Sequence, residues 1–527
     1  MDATSTETAA PDEAISPAGT TNPWVRIFNR VFSRHLMNIA LLLMLPMLIA
    51  PTLNLARTLL VDPDIWWHLA DARFLFTTHH FIQTDTYSFT VYGQRWINPE
   101  WLSEMPFWFG YQSSGLRGIY LVTWLALGAN ILFVYWRGYL TSRHAGAALW
   151  AAGIGFLMMT VNSGPRTIAI AYIAMSALLA ILEAAERGNS RLLWLLPPLF
   201  CVWINLHGSW LIGIALLCLY ILCGSFRLRQ GAFDQEAFTS PERVRLLTVL
   251  GASVAALMVN PYGWRLLWNP FDMMLNQKVN IATVAEWQPL RLSSLEGEGV
   301  VVAIGLMVIA NCMRGRKWKV FELAVILFAW YAAIDHHRFT YLAAVLTTPL
   351  LARDIQRSFC TESSEKTIPA MNALMVAGAV CVMVWMFPSE STLGNMLAKM
   401  FPEQTIAAIQ PSWRTMNWDY LGGRMAFEFK PTFIDSRFDT FEHHGVMQDY
   451  GGIFDLGDSF QLMDKYRIDH VLVQENVPLS YLLAHSPGWR VESREKSWDG
   501  YYVLFAKTPG ASAPSALFHL APADGRR

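Results

Sequence analysis

Apolar runs of about 15 to 25 residues constrain this chain more than any other feature, because a helix needs about 20 apolar residues to cross a bilayer. Only 15% of the 527 residues are charged, whereas soluble proteins average about a quarter. The sequence therefore predicts an α-helical polytopic membrane protein with about 11 transmembrane helices. The runs lie at 36–60, 117–136, 145–163, 167–184, 192–206, 209–226, 245–260, 299–313, 320–335, 339–352 and 368–387.

Basic residues set the predicted orientation, since Lys and Arg concentrate in cytoplasmic loops. Basic clusters occur before the first run and then on alternate loops, near positions 140, 190, 230–245, 315 and 355. The N-terminus is therefore predicted to be cytoplasmic. The loop 61–116, the turn 162–166, the loop 261–298 and the chain after about 388 are predicted to lie on the opposite, exported side.

Composition divides the chain into four predicted parts. Residues 1–35 form a disordered cytoplasmic segment, residues 36–387 the transmembrane domain, residues 388–508 a small soluble α/β domain, and residues 509–527 a flexible tail. Within the third part, "PTFIDSR" predicts a strand and turn. "FQLMDKYRIDHVLVQ" and "LSYLLAHSPGWRVESRE" each predict a helix followed by a strand, and "GYYVLFAKT" predicts a final strand.

Charge and cysteine content exclude two classes of function. The net charge of −1 gives no electrostatic reason to expect a nucleic-acid partner. The six cysteines lie in or beside apolar runs without zinc-finger or redox spacing, and they are interpreted as small core residues.

The stretch "LVDPDIWWHLADARF" at 60–74 places three acids and a histidine at the outer end of the first run. A helix over 64–78 would set Asp64, His68 and Asp71 at i, i+4 and i+7, on one face. Such a helix in the membrane interface could bind a polar headgroup. Alternatively, Asp62 caps the helix and His68 is a hydrogen-bonded interfacial residue. Asp62, Asp64 and His68 could instead hold a divalent metal ion, Mg²⁺ or Mn²⁺.

The same loop continues with acids and aromatic residues that suit a sugar. Asp85 and Glu100 offer carboxylates to sugar hydroxyls, as does Glu104, and the rings of Trp96 and Trp101 could stack on the apolar face of the sugar. The alternative is a solvated loop anchored by interfacial aromatic residues.

Other outward turns bring further candidate substrate-binding residues to the membrane edge: Arg166, His207, Glu286 and Arg338. A cation at the exported end of a span opposes the positive-inside bias. Arg166 or Arg338 could therefore bind a lipid phosphate, although either could instead be the partner of Asp335 or Glu286.

The first outer loop, "DPDIWWHLADARF…TDTYSFTVYGQRWINPEWLSE", closely resembles that of bacterial GT-C glycosyltransferases, which are integral membrane enzymes that use polyprenyl-phosphate-linked sugars. The resemblance continues in "WINLHGSWLIG", "NPYGWRLLWNP", "AEWQPL", "DHHRFTYLAAVLTTPLLA" and "GGRMAFEFKPTFIDSRFDTF", from about 37 to 506. It implies an inner-membrane glycosyltransferase with an exported C-terminal domain. It also implies a polyprenyl-phosphate-linked sugar donor and a glycan, lipid or protein acceptor.

The resemblance further implies that an outer-loop acid is the catalytic base or positions the acceptor. Asp64 matches that position, and Asp85 and Glu100 are possible second acids. Two alternatives remain at this stage: a polymerase or ligase of lipid-linked glycans, and a non-enzymatic transporter or assembly protein. Acids at the outer mouth of the spans, rather than within them, favour chemistry at the surface over passage.

Overall fold

A computed structural model describes residues 27–28, 31–52, 62–360 and 368–508. Most of the predicted 1–35 segment, residues 53–60 of the first apolar run and the predicted 509–527 tail lie outside these described residues. Helices dominate the described part, and one small sheet follows near the C-terminus.

A helix lies at each predicted apolar run. The eleven are Arg34–Thr52 (α1), Trp101–Ser142 (α3), Ala145–Met159 (α4), Thr167–Glu186 (α5), Leu196–Leu206 (α6), Trp210–Cys223 (α7), Ser240–Ala256 (α8), Leu295–Met313 (α11), Val320–Asp335 (α12), Thr340–Phe359 (α13) and Pro369–Met386 (α14). Among the described residues, four helices (α3, α5, α11 and α14) are both long and apolar enough to cross a membrane. The membrane character of the chain is confirmed, while the count of about 11 spans stays a prediction.

Helix Asp64–Thr78 (α2) forms where the acid and histidine spacing predicted it. A carboxylate oxygen of Asp62 accepts a hydrogen bond from the Asp64 amide at 3.0 Å, so Asp62 caps one of the free N–H groups of the first turn. Trp66 and Leu69 are buried in the core. The helix ends at His79, which adopts the left-handed conformation typical of a C-terminal cap.

Helix α3 is broken at Gly115, which has a φ of 58°. The carboxylate of Glu390 accepts hydrogen bonds from the amides of Leu116 and Arg117, each at 3.0 Å. It thereby caps the second half of the helix. A Cβ atom at position 115 would lie 2.4 Å from this carboxylate, so both the backbone angle and the close approach require glycine here.

Shorter helices follow in the loop 261–298 and in the C-terminal region. They are Trp264–Asn276 (α9), Lys278–Thr283 (α10), Glu390–Met400 (α15), Glu403–Ala408 (α16), Asp419–Phe427 (α17), Phe438–His443 (α18), Val446–Phe454 (α19), Ser459–Lys465 (α20) and Pro478–Ala484 (α21). Single 3₁₀ turns lie at Thr160–Asn162, Ala285–Trp287 and His337–Phe339, with a longer one at Ser190–Leu195.

The C-terminal sheet has four strands in the order β1-β2-β4-β3. They are Thr415–Asn417 (β1), His470–Gln474 (β2), Trp489–Ser497 (β3) and Gly500–Lys507 (β4). Strand β1 is parallel to β2, and the other pairs are antiparallel. The two helix–strand units and the final strand are confirmed.

The strand predicted in "PTFIDSR" is wrong. The segment makes only an isolated bridge, between Thr432 and Ser88, because it crosses to the outer loop instead of joining the sheet. The three-residue strand β1 was not predicted.

The C-terminal region packs directly on the outer loop. Helix α17 lies against helix α2, and a Cβ atom at Gly423 would lie 2.6 Å from the carbonyl oxygen of Pro63. The guanidinium of Arg424 stacks over the ring of Trp66 at 4.4 Å. One continuous core joins Phe401, Leu421 and Met425 to the residues of helix α2. The C-terminal region and the loop that contains helix α2 therefore form one packed unit.

Candidate active site

A line of three charged side chains connects the residue before helix α2, the start of helix α5 and the turn at Ala285–Trp287. Arg166 forms ion pairs with Asp62 through Nε and with Glu286 through Nη1. Burial opposes ionisation of Glu286, but Arg166 and Arg338 outweigh it and lower its pKa. Of the two predicted partners of Arg166, a lipid phosphate or a carboxylate, the structure shows the carboxylate of Glu286. The ion pair with Asp62 also fixes helix α5 to the start of helix α2.

Asp64 begins helix α2 beside this line, and its side chain is only partly buried. It forms no ion pair with the residues that the structure describes. The hydroxyl of Ser436 lies near its carboxylate, outside strict hydrogen-bond geometry. Burial and the charge of Asp62 raise the pKa of Asp64 to about 7. A carboxyl group with this pKa and an accessible oxygen is suited to take up a proton near neutral pH.

His68 and Asp71, on the same face of helix α2, belong to a buried polar network. The Nδ1 atom of His68 lies 2.8 Å from a Glu104 carboxylate oxygen. The Asn98 amide donates to both Glu104 at 2.7 Å and Asp71 at 3.0 Å. Burial lowers the pKa of His68 to about 4 and raises that of Asp71 to about 7. The predicted common face is confirmed, but these two side chains support the loop from inside.

Glu100 connects that network to the turn between helices α6 and α7. Its carboxylate accepts a hydrogen bond from the Thr167 hydroxyl and lies 3.3 Å from Nε2 of His207. The Ser209 amide donates to Nδ1 of His207 at 2.9 Å, so the proton of the neutral ring is on Nε2, where it faces Glu100. Burial lowers the pKa of His207 to about 3, which keeps the ring neutral.

Arg338 is the cation with free donors at this site. Its guanidinium lies 4.2 Å from the centre of the Trp287 ring, and it forms no ion pair or hydrogen bond with any described residue. Glu286 and Arg166 are close along the same edge, because Trp287 follows Glu286 directly. A partly exposed guanidinium stacked on an indole can bind an incoming phosphate.

Asp85 is wholly occupied by structural contacts. Its carboxylate accepts hydrogen bonds from the amide and hydroxyl of Ser88, at 2.9 and 2.8 Å. It also lies 2.7 Å from Arg437. Arg437 binds Asp435 as well, at 2.6 Å. The side chain of Arg437 is 1% exposed, and the side chains of Asp85 and Asp435 are 0% exposed. Asp85 therefore anchors the C-terminal region to the outer loop and offers no face to an acceptor.

The two tryptophans predicted to stack on a sugar differ. Trp96 is buried, edge-on to Trp67 at 5.9 Å and under the guanidinium of Arg437 at 4.6 Å. Its ring would have to leave the core to stack on a ligand, and its role in sugar binding stays a prediction. Trp101 is partly buried and donates to Asn205 at 2.9 Å. This bond fixes one end of its ring to the end of helix α6.

The predicted metal set of Asp62, Asp64 and His68 does not form a ligand group. Nowhere in the described ranges do three or more His, Cys, Asp or Glu side chains converge as a metal site requires. The two oxygens of Asp62 face Arg166 and the Asp64 amide, and Nδ1 of His68 faces Glu104. A requirement of the protein for Mg²⁺ or Mn²⁺ stays a prediction, but Asp62, Asp64 and His68 do not form its binding site in this structure.

Sequence reasoning did not assign a site role to Asn98, Ser436 or Arg437. Glu104 was predicted to offer a carboxylate to a sugar, whereas the structure places it in the buried network with His68 and Asn98. The motif "FIDSR" was recognised only as part of a resemblance. The signal for Arg437 was present in that motif, because an Asp-x-Arg element in a segment rich in apolar residues indicates a buried ion pair. Its outer-loop partner, Asp85, is 352 positions away and could not be read from local spacing.

Comparison with solved structures identifies the fold of this chain. No family model matches the sequence, and no curated protein does. The apo oligosaccharyltransferase of Archaeoglobus fulgidus aligns with a TM-score of 0.53 and 12% identity over 85% of this chain and 70% of that chain. The same enzyme tethered to an acceptor peptide with the NVT sequon gives 0.51 and 12% over the same shares. ArnT of Cupriavidus metallidurans, bound to undecaprenyl phosphate, gives 0.48 and 15% over 93% and 99%. The chain therefore has the fold of the GT-C glycosyltransferases, as its outer loop predicted.

Proposed function

We propose that this protein is a membrane glycosyltransferase that moves a sugar from a polyprenyl-phosphate donor to an acceptor hydroxyl at the outer face of the cell membrane. The observation that carries the proposal is Asp64. It is a partly accessible carboxyl group without an ion-pair partner among the described residues, and its pKa is raised to about 7. The GT-C fold and the resemblance of the outer loop support the same reaction class.

Asp64 acts as the general base in this proposal. The acceptor hydroxyl loses its proton to the Asp64 carboxylate as its oxygen bonds to the anomeric carbon. The bond from that carbon to the phosphate oxygen breaks at the same time, and its electron pair leaves with polyprenyl phosphate. This single displacement inverts the anomeric centre. The protonated Asp64 then returns its proton to water.

Arg338 binds the donor phosphate in this proposal. Its guanidinium has free N–H donors and is held on the ring of Trp287, so little side-chain freedom is lost when phosphate binds. Positive charge there stabilises the phosphate as negative charge develops on the leaving oxygen. Arg166, already engaged by Asp62 and Glu286, holds the two walls of the site together.

Glu100 and Trp101 would line the sugar subsite. The side chain of Glu100 is 18% exposed and lies 3.3 Å from Nε2 of His207. Trp101 is partly buried and donates a hydrogen bond to Asn205, two residues before His207. A carboxylate next to an aromatic ring suits a hexose or pentose. Which of these sugars is transferred, and to which acceptor, depends on contacts made by the bound substrates.

The test is donor turnover by the full chain in nanodiscs. The probes are undecaprenyl-phosphate monosaccharides that carry radiolabelled hexoses or pentoses, presented with an envelope lipid and glycan extract as acceptor. We expect release of undecaprenyl phosphate together with transfer of label for at least one donor. Label that stays on the carrier with every donor, while undecaprenyl phosphate still binds, would contradict glycosyl transfer.

A second candidate is a ligase for lipid-linked oligosaccharides. One observation favours it: the fold is similar to that of an archaeal oligosaccharyltransferase, with a TM-score of 0.53. Such an enzyme would transfer a preassembled glycan rather than one sugar. Presenting the monosaccharide donors beside a polyprenyl-linked oligosaccharide distinguishes the two candidates, because only the ligase uses the oligosaccharide.

A further inference from the structure

Helix α9, in the loop between helices α8 and α11, has three distinct faces. At 100° per residue, Trp264, Trp268, Phe271 and Leu275 fall at i, i+4, i+7 and i+11 and form one narrow stripe. These side chains are exposed, with 66%, 51%, 37% and 60% of their surface accessible. We call this stripe the aromatic face of helix α9.

The other two faces of helix α9 are already covered or polar. Leu266 is buried in the core, and the ring of Pro270 lies against Gly208, 3.4 Å from where a Cβ atom would be. On the polar side, the Asp272 carboxylate lies 2.6 Å from Nε2 of His443. The helix is thus held to the spans on one side and to the C-terminal region on another. The aromatic face is not covered by any described residue, and it remains exposed beside the polar side.

The aromatic face continues an exposed apolar surface of helix α8, which overlaps the predicted span 245–260. Helix α8 exposes Val244, Leu247 and Val254, and the chain exposes Met258 and Val259 just beyond its end. Helix α9 begins five residues later. A stripe that contains two tryptophans at the level where a span ends is typical of a helix lying in the membrane interface, where the indole ring has both an apolar body and an N–H group.

We infer that helix α9 lies in the outer leaflet, with its aromatic face in the region between headgroups and acyl chains. Its partner is the lipid surface itself. Because Asp272 contacts His443 and Pro270 contacts Gly208, this helix fixes the height of the C-terminal region and of the His207 turn above the bilayer. The inference goes beyond the proposed reaction and does not depend on it.

The test uses site-specific fluorescence in nanodiscs. In a full-length variant whose six cysteines are replaced by alanine, W268C and L275C place a bimane label on the aromatic face. R265C places it on the exposed polar side of the same helix as the matched control. The probe lipid is phosphatidylcholine with a doxyl group near the top of the acyl chain, and iodide is the water-phase quencher.

We expect the doxyl lipid to quench labels at positions 268 and 275 at least two-fold more than the label at 265, with iodide showing the reverse order. Stronger lipid quenching at 265, or equal quenching at all three positions, would overturn the inference. Protection of positions 268 and 275 from both quenchers would also overturn it, because a protein would then cover the face. Two independent labels keep the test decisive if one variant does not fold.

Discussion

Replacing Arg437 tests whether the C-terminal region is fixed to the outer loop by a buried charge. Its guanidinium binds Asp85 at 2.7 Å and Asp435 at 2.6 Å, and it also lies over the rings of Tyr87 and Trp96. R437M keeps an unbranched apolar stem but leaves two carboxylates that water does not reach. Loss of one partner of a buried ion pair costs about 3–5 kcal/mol. A loss of this size lowers Tm.

The assay is thermal unfolding of the full chain in detergent, with R494M as the matched control. Arg494 also binds a carboxylate through two nitrogens, at 2.8 and 2.6 Å from Glu475, but its side chain is 48% exposed. Water screens exposed pairs, so R494M should leave Tm unchanged. Adding D85N to R437M should recover part of the loss, because one uncompensated charge is then removed. Equal Tm values for R437M and R494M would refute the reasoning.

Three further predictions follow from the site and from the charge pattern. The rate of sugar transfer should increase with pH through about 7. Burial and Asp62 raise the pKa of Asp64 to about 7, and Asp64 accepts a proton only when it is ionised. A rate at saturating donor that stays constant across that pH range would contradict this. R338A should weaken binding of undecaprenyl phosphate, measured by native mass spectrometry in nanodiscs, by about 1.5–3 kcal/mol, and R338K should recover only part because Lys lacks the planar fork; unchanged affinity in both variants would move the phosphate site away from Arg338. A reporter active only after export, fused after Lys507, should be active because basic loops alternate along the chain, whereas a stable but silent fusion would reverse the predicted orientation.

Apolar run length and acid spacing were enough to predict the helices and the face that Asp64, His68 and Asp71 share. Both signals are local, since a helix satisfies its backbone within the segment. Helices α10 and α15–α19 were not predicted, because segments of 6 to 11 residues show little periodicity. The segment of helix α9 contains Pro270 in the sequence, so its aromatic stripe does not appear as an apolar run.

The outcome for each acid depended on partners that local sequence cannot give. Asp64 and Asp85 look alike in the sequence, as acids in one loop. The structure separates them, because Asp85 meets Arg437 from the far end of the chain while Asp64 keeps an accessible carboxylate. Trp96 and Trp101 diverge in the same way, since only Trp96 is covered by Arg437.

The most direct measurement of the central claim is sugar transfer by D64N in nanodiscs, with binding of undecaprenyl phosphate measured on the same preparation. Asn keeps the size of the side chain but cannot accept the acceptor proton, so turnover should fall by roughly 10²–10⁴-fold. Carrier binding should be unchanged, because the proposed phosphate ligand is Arg338 and not Asp64. The control is D71N, which changes a buried carboxyl that hydrogen-bonds Asn98, and we expect it to retain most of the activity. Full turnover by D64N would contradict the account and show that Asp64 is not the base.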